Sequence, residues 1–387
     1  MRCATAAGLG SGWGPERCYA RCVEQPTREQ ITEALGKVID PELKRPVTEL
    51  EMVREVHVEN GHVAVTIALT VVGCPLRSSF ETQVQEHLLP LPGVESVSLD
   101  FDVMSPDERA ALTQKLRGSV TGRSKGLSLD ASTRVLAVAS GKGGVGKSTL
   151  SVNLAAAFDR HGLRTGILDA DVYGHSIPLM LGVGQRPVVV DKMIVPPVRG
   201  DLKLMSIGFF LEENAPVMWR GPMLHRALEQ FLSDVHWGEL DMLVVDMPPG
   251  TGDVSISLGQ LLPRAEVIVV TTPQPAAQQV AVRAAQMAQK TGMRLIGAVE
   301  NMSFLVGTGQ EVFGAGGGEA LAQAIDAPLL GRIPLDPRLR ECADDGEPLV
   351  WAEPENETAR TITELAETLV ASGSRPGGIK KALPLVS

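Results

Sequence analysis

Positive charge, cysteine and long apolar runs are all scarce in this chain of 387 residues. Its 36 Lys and Arg stand against 46 Asp and Glu, a formal net charge of -10. That balance excludes a broad electrostatic surface for nucleic acid or anionic lipid and leaves room only for a local basic patch. No stretch approaches the ~20 consecutive apolar residues of a membrane span. The opening residues, MRCATAAGLGSGWGPERC, hold no uninterrupted apolar run after Arg2, so a secretory signal is not expected. The five cysteines, Cys3, Cys18, Cys22, Cys74 and Cys342, are odd in number and too scattered for a disulfide framework. That usage fits a reducing compartment, and the cytoplasm is the expected location. No internal repeat stands out.

What is present is ordinary for a globular protein: 44% apolar and 21% charged residues, over a length that predicts two or three domains. Residues 1–26, rich in Gly, Ala and Arg, read as a disordered extension. Residues 27–104 read as a small α+β domain. Ile31, Ala34, Leu35 and Val38 predict a helix over 28–39, and Val63, Val65, Ile67, Leu69 and Val71 alternate as a half-buried strand. Asn60-Gly61 joins that strand to a weaker one over 52–58, a helix follows over 76–89, and Val94, Val97, Leu99 and Phe101 mark a last strand. Ser105-Pro106 starts a helix over 106–117, and a pattern-free Gly/Ser/Lys stretch makes the rest of 105–132 a linker. From 133 to 372, apolar runs at Val135–Ala139, Thr165–Leu168, Met242–Val245, Val267–Val270 and Leu295–Val299 alternate with helix-length segments. The fold class is therefore α/β, a mostly parallel sheet with helices on both faces, preceded by the small domain. Residues 373–387 read as a flexible tail.

Gly141-Lys142-Gly143-Gly144-Val145-Gly146-Lys147-Ser148-Thr149 lies between the run Val135–Ala139 and the helical pattern Leu150–Phe158. A G-x-x-x-x-G-K-[ST] segment between strand and helix is a phosphate loop. Its glycines let backbone N–H groups close around phosphate oxygens, and the helix N-terminus adds partial positive charge. Lys147 is placed for the β- and γ-phosphates and Ser148 for Mg²⁺. Asp246 ends the run Leu243-Val244-Val245 and Asp169 and Asp171 follow Ile167-Leu168, where strand-end carboxylates hold a metal or orient water. Each alone also suits a helix cap or a turn.

Lys142, an extra lysine inside the loop, marks a resemblance to the deviant Walker A class, which includes MinD, ParA, ArsA and the nitrogenase iron protein. In that class this lysine reaches the partner's phosphates across a nucleotide-sandwiched dimer, which implies a homodimer. Further segments are Asp169-Ala170-Asp171-Val172-Tyr173-Gly174, Trp219-Arg220-Gly221-Pro222-Met223 and Asp246-Met247-Pro248-Pro249-Gly250-Thr251-Gly252-Asp253. With Thr271-Thr272-Pro273-Gln274 and Glu300-Asn301-Met302-Ser303, they resemble the Mrp/ApbC family of iron–sulfur cluster carriers from about Arg134 to Leu369. The resemblance implies that Asp171 polarises the attacking water in switch I and that Asp246 belongs to the metal site at switch II. It also implies that Gly250 senses the γ-phosphate and that Asn301 hydrogen-bonds the adenine, with the loop Arg332-Ile333-Pro334 nearby. Residues 28–102, with Asp40-Pro41-Glu42 and Thr70-Val71-Val72-Gly73-Cys74-Pro75, are similar to the small domain of SufT-type assembly factors.

The chain departs from the family where many members carry the Cys-x-x-Cys pair that binds a bridging [4Fe–4S] cluster. Asn301 to Gln310 contains no cysteine, and soft iron needs thiolates, so Gly307 or Thr308 cannot substitute. Val280 stands near the place of a common aspartate and His175 at that of a common proline. Cys74, before a proline and a helix, is a candidate reactive thiol or cluster ligand, and equally a buried structural residue. Cys342 reads as inert, and Cys18 and Cys22 have chelating spacing in a Gly- and Pro-containing stretch that argues against a helix.

These readings lead to an ATP-hydrolysing homodimer that delivers clusters to apoproteins with cluster-assembly factors, without nucleic acid or membrane. One alternative is a nucleotide-dependent scaffold that holds no cluster. Another is a MinD- or ParA-like positioning ATPase, against which the acidic last helix over 358–371 speaks, with Glu364 and Glu367 and one base, Arg360.

Overall fold

The computed structural model describes residues 25–70, 77–118, 129–172, 174–210 and 221–372. Most of the expected N-terminal extension, residues 119–128 of the expected linker, the expected tail and Cys3, Cys18, Cys22 and Cys74 lie outside the described residues. So do Tyr173 and Trp219-Arg220. The chain forms two compact units, one drawn mostly from the residues up to Asp102 and the other from Val103 onward together with Pro41–Lys44 and Thr70.

The first unit contains α1 (Arg28–Leu35), β1 (Val53–Glu59), β2 (His62–Leu69), α2 (Arg77–Leu88) and β3 (Ser96–Val103), with the strands in the order β1-β2-β3. Thr27 and Gln30 close a capping box at the start of α1: each backbone N–H donates to the other's side chain. The helix is shorter than its periodicity suggests. Gly36 forms its C-cap, and Val38, fully buried, enters the core from the turn beyond. β1 and β2 pair antiparallel across Asn60-Gly61, both at positive φ (50° and 79°), the backbone a two-residue hairpin demands. On β2, Val63, Val65 and Ile67 are buried while Ala64 and Thr66 are half-buried, so one face carries most of the packing.

The second unit opens with α3 (Pro106–Gly118). Ser105 caps it: the Glu108 N–H donates to Ser105 Oγ (3.2 Å) and the Ser105 N–H to Glu108 Oε2 (2.6 Å). There follow β4 (Arg134–Ser140), α4 (Lys147–Arg160), β5 (Thr165–Asp169) and α5 (Ile177–Met180). Next are the short strands β6 (Val188–Val190), β7 (Met193–Val195) and β8 (Val198–Arg199), then β9 (Leu202–Ser206), a 3₁₀ turn (Ile207–Phe210) and α6 (Gly221–Ser233). The remainder is β10 (Met242–Asp246), α7 (Asp253–Leu261), β11 (Glu266–Thr271), α8 (Pro275–Lys290), β12 (Arg294–Leu305) and α9 (Gly317–Ala324). β13 (Leu329–Leu335), α10 (Pro337–Asp344), α11 (Leu349–Ala352) and α12 (Glu357–Ser372) complete the chain.

Eight strands form one sheet in the order β13-β12-β11-β4-β10-β5-β9-β8, parallel except for the antiparallel pair β8 and β9. Every residue of β5, β9, β10 and β11 is buried, as a sheet covered on both faces requires. The sheet is wider than the sequence patterns suggest. β13 corrects the expected loop at Arg332-Ile333-Pro334: these residues lie in the strand, with Glu300 of β12 opposite Arg332 and Asn301 opposite Ile333. β13 is an edge strand, where a proline without an N–H is tolerated. α12 buries Ile362, Leu365 and Leu369 and packs on α4 and β13. Among the described residues no helix is long and apolar enough to cross a membrane.

Candidate active site

The chemistry-bearing residues gather where the parallel strands end. β4 lies in the middle of the sheet, between β10 and β11, and the loop that leaves it turns directly into α4. In a doubly wound sheet this is the position of the ligand crevice. Gly144 and Gly146 take left-handed backbone (φ 78° and 79°), which curls the loop back on itself before Lys147 begins the helix. Gly141 permits the close approach of α8, because a Cβ there would lie 2.2 Å from the carbonyl carbon of Val280. At Gly143 and Gly144 an added Cβ meets nothing within 4 Å, so the mouth of the loop is open.

Asp246, the last residue of β10 and fully buried, is the centre of the site. Lys147 Nζ donates to its Oδ2 (2.7 Å), Ser148 Oγ donates to the same oxygen (2.7 Å), and Ser151 Oγ donates to Oδ1 (2.6 Å). Lys147 Nζ also lies 3.1 Å from Ser148 Oγ and 3.8 Å from Asp171 Oδ2. Lys147 is itself only 6% exposed, and a buried ammonium needs such counter-charges. The hydroxyl of Ser148 and the carboxylate of Asp246 are hard oxygen donors of the kind that hold Mg²⁺. Among the described residues no group of three or more His, Cys, Asp or Glu side chains forms a metal-holding cluster. A divalent ion at Ser148 and Asp246 would complete its shell from phosphate and water.

Asp169 and Asp171, together at the end of β5, part ways. The Asp171 Oδ1 accepts from the Gly174 N–H (3.0 Å), and its other oxygen is the one near Lys147. Asp169 is turned instead toward the protein, accepting from Ser206 Oγ (2.9 Å), the Asp171 N–H (3.2 Å) and the Ile177 N–H (3.4 Å). It thus fastens the segment that carries Asp171 to the end of β9. Burial, with the Asp246 charge second, pushes its carboxyl up to about 7 against the opposing hydrogen bonds. Gly250, at φ 87°, donates its N–H to the Ser140 carbonyl at the foot of the phosphate loop (2.8 Å).

On the other flank, Asn301 is buried under the loop and its Nδ2 donates to the Val145 carbonyl (2.8 Å). Pro334 is buried in β13, and Arg332 is half exposed, paired with Glu319 and lying 3.7 Å from the buried Glu300. Lys142 is half-buried within the loop, its carbonyl accepting from Ser140 Oγ (3.1 Å). Thr149 lies in the first turn of α4 and its carbonyl accepts from Asn153 Nδ2. Cys342 is buried in α10, and burial pushes its thiol up, which suits an inert residue. The candidate ligand Cys74 lies outside the described residues.

The model of the NUBPL iron-transfer P-loop NTPases matches residues 131–370, and that of iron–sulfur cluster assembly proteins matches residues 28–99. The chain belongs to the NUBPL iron-transfer P-loop NTPase family. It is 48% identical to the iron–sulfur cluster carrier protein of Mycobacterium leprae, over 92% of this chain and 96% of that one. The carrier proteins of Bacillus subtilis (43%; 79% of this chain, 88% of the other) and Synechocystis (38%; 90% and 98%) are also similar. Among solved structures, an ADP-bound nucleotide-binding protein from Archaeoglobus fulgidus aligns with a TM-score of 0.50 at 35% identity, covering 58% of this chain and 89% of its own.

Two participants and one bond escape the sequence reading. Ser151 stands four residues after Lys147, one helical turn on, and that spacing was a usable signal. Ser206 ends a strand that alternation did not reveal. The bond from Asn301 to Val145 joins residues 156 apart, and nothing local announces it.

Proposed function

We propose that this chain binds and hydrolyses ATP with Mg²⁺ as a homodimer in the cytoplasm. We propose also that its nucleotide cycle governs the carriage of an iron–sulfur cluster, of the [4Fe–4S] type, to apoproteins alongside cluster-assembly factors. The observation that carries the nucleotide half is the convergence of Lys147, Ser148 and Asp246 at the mouth of a glycine loop whose open side faces away from the core. The cargo half is supported by the names of the relatives and by the family to which the chain belongs.

In this reading the loop N–H groups of Gly143 to Ser148 hold the phosphates, and Lys147 leaves Asp246 to neutralise the β- and γ-phosphates. Ser148 and Asp246 hold Mg²⁺, which supplies charge neutralisation of the phosphates when bound. Asp171, oriented by the Gly174 N–H, accepts a hydrogen bond from the water that attacks the γ-phosphorus. Gly250, tied to Ser140, is placed to register the γ-phosphate through the loop. Lys142 reaches the partner's phosphates, and Arg332, Pro334 and Asn301 border the base.

Replacing Lys147 or Asp171 by Ala is expected to abolish ATP hydrolysis, with nucleotide binding lost only for Lys147→Ala. Unchanged turnover refutes the assignment. The cargo is tested by reconstituting the purified protein with iron and sulfide without oxygen, where a stoichiometric cluster is expected. The segment Phe304–Gln310 favours a second reading, a nucleotide-dependent scaffold, because it holds no cysteine. A chain that never retains iron, with or without ATP, and behaves identically as Cys74→Ser supports that scaffold instead.

A further inference from the structure

The end of β12 is unusually built around Asn301. Its register with β13 runs from Asn301 opposite Ile333 to Leu305 opposite Leu335, so four steps on one strand face two on the other. A bulge of this kind re-aims a side chain. Met302 accommodates it in left-handed backbone (φ 57°), a conformation uncommon for anything but glycine, and Ser303 Oγ donates to the Glu300 carbonyl (3.1 Å) to close it. Glu300, buried, accepts from the Gly318 N–H in the first turn of α9 (2.5 Å), which pins the strand from behind. The outcome is that the Asn301 amide points at the underside of the phosphate loop. It donates to the Val145 carbonyl at 2.8 Å while only 3% exposed. The loop is shaped to receive it: a Cβ on Gly146 would lie 2.1 Å from Asn301 Nδ2 and 3.7 Å from Met302 Cε.

We infer that Asn301 is a positioning residue of the phosphate loop, holding the Val145–Gly146 turn in place so that the loop is formed before phosphate arrives. The inference rests on the nucleotide reading above and assigns this side chain a task independent of any base. Removing the amide leaves the Val145 carbonyl without its donor and lets the turn relax. A contact to adenine alone would be felt only by ligands that carry a base, whereas a loop clamp is felt by a bare polyphosphate as well.

Inorganic pyrophosphate with Mg²⁺ is therefore the discriminating probe, titrated beside ATP by calorimetry into wild type, Asn301→Ala and Asn301→Leu. The leucine keeps the size and loses the donor without adding charge. Both variants are expected to bind pyrophosphate and ATP more weakly by the same factor, about tenfold. Variants that bind pyrophosphate like wild type and lose only ATP overturn the inference. Wild-type protein carrying ¹⁵N-labelled asparagine supplies a measurement that needs no folded variant: an Asn301 side-chain amide proton should already be protected from solvent exchange before any ligand is added. An amide that exchanges freely in the ligand-free protein also overturns it. A wild type that takes up neither ligand overturns the nucleotide reading itself and the inference with it, an outcome distinct from the other two.

Discussion

In β2 burial is complete at Val63, Val65 and Ile67 and partial between them, whereas in β10 all five residues from Met242 to Asp246 are buried. The first sheet therefore keeps a polar face, on which exposed His62 bridges Ser96 Oγ and Ser98 Oγ at 2.8 and 2.9 Å. The inner strands of the second sheet have no face to spare. Helices cover both sides of β5, β10 and β11, so there only the strand ends meet the outside, and a polar residue inside must be fully partnered. That is where Asp246, Asp169 and the loop after Ser140 stand. Two-sided burial confines chemistry to strand ends and then holds it rigidly there.

The comparison can be broken most forcefully by burying a charge. Val244→Asp and Val245→Asp are each expected to prevent folding of the second unit, at a cost above ~4 kcal/mol, because neighbouring positions on β10 are equally enclosed. On β2 the pair should split: Val65→Asp is severe, whereas Thr66→Lys costs within ~0.5 kcal/mol. Urea unfolding of the intact chain followed by circular dichroism reads both, and an acid accepted at either β10 position would end the two-sided account. Next come two glycines. Gly141→Ala drives a Cβ into the α8 backbone and should cost about 3 kcal/mol. Gly61→Ala should cost about 1 kcal/mol, since its nearest neighbour at 2.9 Å is the flexible Glu95 side chain, the Gly93 carbonyl at 3.3 Å need give only slightly, and the positive φ is the main strain. Equal losses in melting temperature would contradict the difference in rigidity between the two sheets.

A last test changes no residue in the wild type and concerns pH. Asp169 has its carboxyl raised from the ordinary 3.8 to about 7 in the fold. Between those values the folded protein binds a proton that the unfolded chain does not. Its contribution to stability is therefore present below about 4 and is lost as pH rises toward 7. Melting of the nucleotide-free protein at pH 5, 6, 7 and 8 should show this decline, and Asp169→Asn should flatten it. A variant with the wild-type slope would remove Asp169 from the account.

Much of the large unit was legible because its signals are local. The loop from Gly141 to Thr149 is contiguous, and five strands announce themselves as apolar runs. β9 and β13 did not. Lys203 interrupts β9, and its buried ammonium donates to the Trp237 and His236 carbonyls (2.8 and 3.4 Å), partners far along the chain. β13 carries Gly331, Arg332 and Pro334, which read as a turn until its edge position is known. The same limit applies at the site. Lys147, Ser148 and Asp246 followed from motif chemistry, but the inward turn of Asp169 depends on Ser206 and Ile177, and that of Asn301 on the β12 bulge. Helix α1 stopped short of its pattern because Gly36 caps it, which apolar spacing alone does not reveal.

The rims of the large sheet are closed by opposite means. At one, Pro334 removes a donor from β13; at the other, β8 is only two residues long and runs against its neighbour. Neither offers the row of free donors and acceptors that lets a foreign strand extend a sheet. Among the described residues, the large sheet is thereby guarded against edge-to-edge extension by another copy of itself, the commonest form of runaway polymerisation.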